Sequence, residues 1–221
     1  MKRLLYDLAA EDENVRFSPY CWRVKLALAH KNLKFKTVPW RFTDKDAIAF
    51  SGQGKVPVLV DGKTVVSDSQ AIAEYLESAY PNEASLFGEP PARALTMFIK
   101  AWTEDALQPA IARIVLPDVL ARLHPKDKAY FREAREKSWD MKIEDFHAHR
   151  AEYLTALKAV LAPLRGTLKV QNFVAGASPT YADHIVFGAL QWGRLMSGVR
   201  LLEKNDPIVN WMDAVLGTYG L

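Results

Sequence analysis

The chain has 221 residues, of which 49% are hydrophobic and 25% charged, a composition that excludes disordered, collagen-like and low-complexity classes. Its formal charge of +3 is spread over both halves, so no basic arm for nucleic acid and no strongly charged face for an anionic membrane stands out. The single cysteine, Cys21, excludes an internal disulfide framework and a zinc-finger ligand set, and suits a reducing compartment.

No apolar run approaches the length of a membrane span, and the start, Met1-Lys2-Arg3-Leu4-Leu5-Tyr6-Asp7, turns charged at once. The expected protein is therefore cytoplasmic. Residues 3–7 and 34–38 read as short strands on either side of a helix over 19–32. In that helix Tyr20, Val24, Leu26, Ala27 and Leu28 form the apolar side, and Arg23, Lys25 and Lys31 are expected on a wet face. Two further β runs, Val56–Val60 and Thr64–Val66, flank Asp61-Gly62, which is a hairpin signal. Ser67-Asp68-Ser69 then precedes Ile72, Ala73, Leu76 and Ala79 at helical spacing, with Gln70 completing a capping-box pattern from Ser67. The order is β-α-β-β-β-α.

After Tyr80 the texture changes. A proline-containing linker over 82–91 leads into long helical patterns over 92–122, 127–138, 146–164, 180–197 and 206–216. Mixed α/β followed by all-helical predicts two domains, 1–81 and 92–221. Within the second, Thr180 with Asp183 three residues on forms a capping box ahead of the apolar Ile185, Val186, Ala189, Leu190 and Trp192, which predicts a buried central helix.

Three short segments carry possible chemistry. Ser18 precedes Pro19 at the start of the first helix, where unpaired N–H groups and the helix dipole favour an anion. A hydroxyl there either only caps the helix or also donates to a thiolate or oxyanion. Holding a thiol of pKa ~8.5 ionised near pH 6.5 needs about 2.7 kcal/mol, within reach of one hydroxyl donor and the dipole. Lys55-Val56-Pro57 opens the third strand; a cis peptide there would free the Val56 main chain to pair with an extended ligand. Asp68-Ser69 starts the second helix, where the pair either caps it or grips an ammonium and a carboxylate.

The element order, Ser18-Pro19-Tyr20-Cys21, Lys55-Val56-Pro57, Ser67-Asp68-Ser69 and the Thr180–Asp183 box with Gly176 and Pro179 before it together resemble the cytosolic glutathione transferases over essentially the whole chain. The detail around Tyr6-Asp7-Leu8, Trp22-Arg23, Ala29-His30-Lys31 and Arg135-Glu136-Lys137 is most similar to the bacterial β-aryl-etherase type and its fungal relatives. The resemblance implies a thioredoxin-like α/β domain followed by an all-α domain, with glutathione as co-substrate. It implies that Ser18 contacts the glutathione sulfur and that Val56, before a cis Pro57, pairs with the cysteinyl part. Asp68 and Ser69 match the pair that grips the γ-glutamyl end, the acid being Asp here where many members have Glu. Gln53 and Lys55 fall where glycyl or γ-glutamyl contacts often lie. It also implies a homodimer, a hydrophobic electrophilic second substrate, and neither a nucleic-acid nor a membrane partner.

The same comparison sets limits. Members with Cys at the position of Ser18 perform thiol–disulfide chemistry; here Cys21 stands alone at the second position of a Cys-x-x-Cys site, so dithiol chemistry lacks its partner and Cys21 is expected to pack under the site. His147 and His149 fall on different sides of a helix, so no shared metal is expected. His30 is expected to cap its helix, and His124 and His184 stand alone. Trp102, Trp139, Trp192, Trp211 and Tyr219 are expected in the core, while Trp40, Phe42, Phe50, Ile111, Ile114 and Val115 are candidates to line an acceptor pocket, with Arg113 meeting an acidic or phenolate-like group there. Three functions follow: conjugation of glutathione to an electrophile, glutathione-dependent cleavage of an aryl ether, and non-catalytic binding of glutathione or apolar ligands.

Overall fold

The structure is a computed structural model that describes residues 3–221; Met1 and Lys2, the start of the first expected domain, lie outside the described residues. The first third follows the predicted order: β1 (Arg3–Leu8), α1 (Pro19–His30), β2 (Lys36–Trp40), β3 (Val58–Asp61), β4 (Thr64–Ser67) and α2 (Ser69–Ala79). A 3₁₀ helix over Lys45–Ser51 fills the stretch before β3. The sheet order is β2-β1-β3-β4, with β1 parallel to β2 and antiparallel to β3. The parallel step is made across α1, as a crossover requires. β3 and β4 form the expected hairpin, but Asp61 pairs with Thr64, so the two-residue loop is Gly62-Lys63. Gly62 takes φ +61° there, a conformation that a Cβ disfavours.

One expectation about α1 is overturned. Arg23, Lys25 and Lys31 are buried, while Tyr20 is 38% exposed. The helix has no wet face because it is covered by α2 on one side and by a later helix, α9 (Tyr181–Met196), on another. Each buried cation has an acid brought to it by tertiary structure: Arg23 with Glu104 at 2.7 Å, Lys25 with Asp7 at 3.0 Å and Lys31 with Glu77 at 2.7 Å. Without those partners each would leave an uncompensated buried charge, worth several kcal/mol. The α2 cap also differs. Asp68 is the N-cap, its Oδ1 accepting from Gln70 N–H at 2.9 Å and Ala71 N–H at 3.0 Å, while Gln70 spends its side chain on Glu74 instead of closing a box with Ser67.

The rest is helical: α3 (Pro90–Trp102), α4 (Gln108–Arg122), α5 (Pro125–Trp139), α6 (Ile143–Ala148), α7 (Arg150–Val160), α8 (Ala162–Leu168), α9, and α10 (Pro207–Tyr219). The single helix predicted over 92–122 is divided by a π-helical turn at Thr103–Leu107. There Gln108 N–H reaches Thr103 C=O, five residues back, and the next residue, Pro109, has no N–H with which to restore the ordinary ladder. The helix predicted over 146–164 is three. It breaks at His149 and again before Pro163, which sits in the first turn of α8 where its missing N–H is harmless. The Thr180–Asp183 capping box is present, and Asp183 also accepts from Val174 N–H at 2.7 Å and Trp211 Nε1–H at 3.0 Å. No helix among the described residues is long and apolar enough to cross a membrane.

Neither apolar core keeps to one side of the linker. One joins Leu8, Phe17, Trp40 and Ile48 to Ile111, Leu116 and Phe187. The other joins Leu5, Val24, Leu59 and Ile72 to Leu86, Phe87, Tyr181 and Ile185. Leu86 and Phe87, inside the expected linker, are fully buried, and Leu86 C=O accepts the first N–H of α9 at 2.7 Å. α9 comes so close to the start of α1 that a Cβ on Gly188 would lie 2.3 Å from the Pro19 carbonyl oxygen.

Candidate functional site

Ser18 is the N-cap of α1, its Oγ accepting Cys21 N–H at 3.2 Å with Pro19 as the first helical residue. It is only 3% exposed, yet it lies on the wall of a cavity of about 460 Å³. A hydroxyl that accepts through its oxygen still has its proton to give, so capping and donation are compatible at this position. The α1 dipole points its positive end at the same wall. Cys21 is buried beneath. Burial pushes its thiol well above the usual range, Asp7 acts in the same direction, and the Ser18 hydroxyl opposes them. It is a buried packing residue, in line with the expectation.

The Val56–Pro57 peptide is cis, and Val56 and Lys55 both line the cavity. Val56 stands just before β3 begins at Val58, outside the ladder, which leaves its main chain free of sheet partners. Gln53, Pro57, Asp68 and Ser69 are not on the cavity lining. Gln53 and Asp68 are exposed, and Pro57 and Ser69 are buried. Asp68 has φ +75°, a region that costs a non-glycine residue about 1–3 kcal/mol and that collects at functional sites. Its two cap bonds hold it there while its second carboxylate oxygen is spare. Ser69 C=O accepts the buried Tyr181 O–H at 2.8 Å, which ties α2 to α9.

The opposite wall comes from α4, α5 and α9. On α4 the lining positions are Gln108, Pro109, Ala112, Leu116 and Val119, one helical face. Ile111, Ile114 and Val115, expected in the pocket, sit on the neighbouring face and are fully buried in the core. Phe50 is half exposed against Tyr6, whereas Trp40 and Phe42 do line the cavity. Arg113 is not among the lining residues: it lies over the Trp139 and Tyr153 rings, behind the cavity-lining Trp139. The cation on this wall is Arg135, accompanied on α5 by Tyr130, Phe131, Ala134 and Trp139. Trp139 and Trp192, half-buried against the core as expected, also supply part of this wall. Phe131, Arg135 and Trp139 recur every four residues, and that spacing was the available signal for this face.

Tyr20, at the first turn of α1, reaches across to α4, its O–H donating to Gln108 Oε1 at 3.3 Å. Glu104, on the π-helical turn, also lines the cavity. It is engaged by Arg23 and by Lys100 at 2.6 Å; these bonds outweigh the cost of its burial and hold it below the usual carboxylate range.

Away from the cavity, the isolated histidines are not isolated. Tyr219 Oη lies 2.9 Å from His30 Nδ1 and 2.8 Å from His184 Nε2, while His30 Nε2 contacts Ser85 C=O at 3.0 Å. His30 thus joins α1 to α10 rather than capping its helix. Burial lowers both histidines from their ordinary value, His184 strongly. His124 caps α5, its Nδ1 accepting Lys126 N–H.

This geometry has counterparts among known proteins. Residues 14–84 match the family model described as glutathione S-transferase, N-terminal domain, and residues 94–218 the one described as glutathione S-transferase, C-terminal domain. Curated relatives include a probable glutathione S-transferase of Glycine max, 28% identical over 49% of this chain and 52% of its own length. A zeta-class glutathione S-transferase of Euphorbia esula is 32% identical over 48% of this chain and 50% of its own. The chain spans about half the length of these curated relatives. Glutathione transferase GSTFuA3 from Phanerochaete chrysosporium superposes with a TM-score of 0.88 at 26% identity, covering 99% of this chain and 97% of its own. A glutathione S-transferase of Ceriporiopsis subvermispora, solved in complex with glutathione, has the same fold at TM-score 0.83 and 22% identity, over 99% of this chain and 96% of its own. With both domain models matched in order, and the second alone spanning more than half of the sequence, the chain belongs to the glutathione S-transferase family.

Proposed function

We propose that this protein binds glutathione at the start of α1 and α2 and stabilises its thiolate for attack on an aromatic electrophile held against α4 and α5. The observation that carries the reading is Ser18: a buried N-cap hydroxyl on a cavity wall, with a proton to donate and a helix N-terminus behind it. In the proposed roles Ser18 donates to the sulfur, and Val56, beside the cis Pro57, pairs with the cysteinyl main chain. Asp68 and Ser69 take the γ-glutamyl end, and Lys55 with Gln53 the glycyl carboxylate. The division of labour is between residues 1–81, which hold glutathione, and 92–221, which supply the acceptor wall. Catalysis is then positioning together with thiolate stabilisation.

An aromatic acceptor is supported by the rings of Trp40, Phe42, Tyr130, Trp139 and Trp192 around the cavity, since ring stacking adds to area burial. The proposed assembly is a homodimer, supported by Leu95, Met97 and Phe98 on α3, which are 43%, 50% and 67% exposed. The proposed compartment is the cytoplasm, where thiols stay reduced.

The test is Ser18→Ala against wild type with a chromogenic aryl halide. Turnover is expected to fall about 10- to 100-fold, the worth of one hydrogen bond to a charge, with glutathione affinity nearly unchanged and about 1 kcal/mol of stability lost with the cap. Turnover unchanged by the substitution would leave Ser18 as a cap alone, and no glutathione-dependent turnover with any electrophile would favour the non-catalytic binding reading. Phenol release from a β-aryl ether would narrow the activity to ether cleavage.

A further inference from the structure

The charged residues lining the cavity are Lys45, Lys55, Glu104 and Arg135, and they do not balance. Glu104 is already neutralised by Arg23 and Lys100. Lys55 stands on the side next to Val56, and Lys45 gives a hydrogen bond to Gly54 C=O at 2.6 Å. Neither lysine has an acid partner among the described residues, and Arg135 is the cation on the α4–α5 wall. It faces the cavity from the α5 wall, half-buried, with its guanidinium 5.1 Å over the Phe131 ring. Among the described residues it makes no ion pair and no side-chain hydrogen bond, while Arg132, three residues earlier on the outer face of the same helix, pairs with both Glu136 and Glu144. Burial lowers the Arg135 pKa from its ordinary value, although the guanidinium stays charged at any physiological pH. A planar cation with five donors, partly desolvated and lacking an acid, is a preformed receptor for a carboxylate or sulfonate.

We propose that Arg135 selects the second substrate: the acceptor is an aromatic molecule bearing an anionic group, carboxylate or sulfonate, that pairs with Arg135 while its rings lie between Trp40, Phe42 and Trp139. This inference rests on reading the cavity as the acceptor site, and it assigns an anionic aromatic class where the fold alone would admit any apolar electrophile.

The probes are two fluorescent dyes sharing one aromatic frame, anilinonaphthalene sulfonate and the uncharged N-phenylnaphthylamine, titrated into the full chain without glutathione. For Arg135→Gln the sulfonate dissociation constant is expected to rise about 10- to 100-fold, with the neutral dye unchanged and Arg135→Lys recovering part of the loss. With wild type alone, added sodium chloride should weaken the sulfonate dye and leave the neutral one unaffected. Equal changes for both dyes, or none for either, would overturn the proposal. So would a rise in the glutathione dissociation constant with dye binding intact, because Arg135 would then hold glutathione itself. Failure of the glutathione reading would show separately, as no heat on titrating glutathione and no conjugation, and neither result alters the comparison of the dyes.

Discussion

The two walls of the cavity are built by different means. The Ser18 wall, with the start of α2 beyond the cavity lining, is a matter of main-chain geometry: two helix N-caps, a cis peptide and an aspartate at positive φ. The α4–α5 wall consists of side chains on helix faces, chiefly rings and the lone Arg135. The first kind suits the proposed peptide-like partner, whose amides and termini are the same each time. The second can change by single substitutions without disturbing a backbone. Such a division suits a site with one constant and one variable substrate.

The sharpest way to break this contrast is to disturb the first wall from the second domain. Gly188→Ala places a Cβ against the Pro19 carbonyl, a backbone atom that cannot swing aside. The expected loss is about 1–3 kcal/mol in urea denaturation, together with a fall in turnover larger than that of conservative changes on α5, because Ser18 moves with Pro19. Full activity in this variant would show that the N-terminal wall is independent of α9. A smaller effect is expected from Asp68→Asn, which keeps an oxygen for the α2 cap but removes the charge. Glutathione affinity by calorimetry should weaken about tenfold while the denaturation midpoint barely moves; the reverse outcome would make Asp68 a cap only.

The smallest effect is on the pH profile, and it arises outside both walls. His30 and His184 have lowered pKa values in the folded state, so the unfolded chain binds protons first as pH falls below the ordinary histidine value of 6.5. Stability is therefore fully present above about pH 6.5 and declines on acidification toward the folded-state values. Urea midpoints at pH 7.5 and 5 should show this decline in wild type and less of it in His184→Gln. An identical decline in both would remove His184 as its source.

Where a motif combines a cap, a proline and a turn in a few consecutive residues, the sequence was enough. Ser18-Pro19, Lys55-Val56-Pro57, Asp68-Ser69 and Thr180–Asp183 could be placed because their geometry is local, and the β-α-β-β-β-α order followed from short-range periodicity. Even so, the α2 cap passed from Ser67 to Asp68, since neighbouring polar residues compete for the same N–H groups.

Tertiary structure alone decided the rest. Arg23, Lys25 and Lys31 read as solvated because nothing nearby in sequence supplies Glu104, Asp7 or Glu77. The linker became core because Leu86 and Phe87 meet Tyr181 and Ile185, and a helix cap, a core tyrosine and a lone histidine became the His30–Tyr219–His184 contact. The acceptor wall is the clearest case. Periodicity shows that α4 and α5 have faces, but which face meets Ser18 depends on how the helices dock, and that selects Arg135 over Arg113. Local backbone preference determined where an anion could be held; long-range packing determined which side chains stand opposite it.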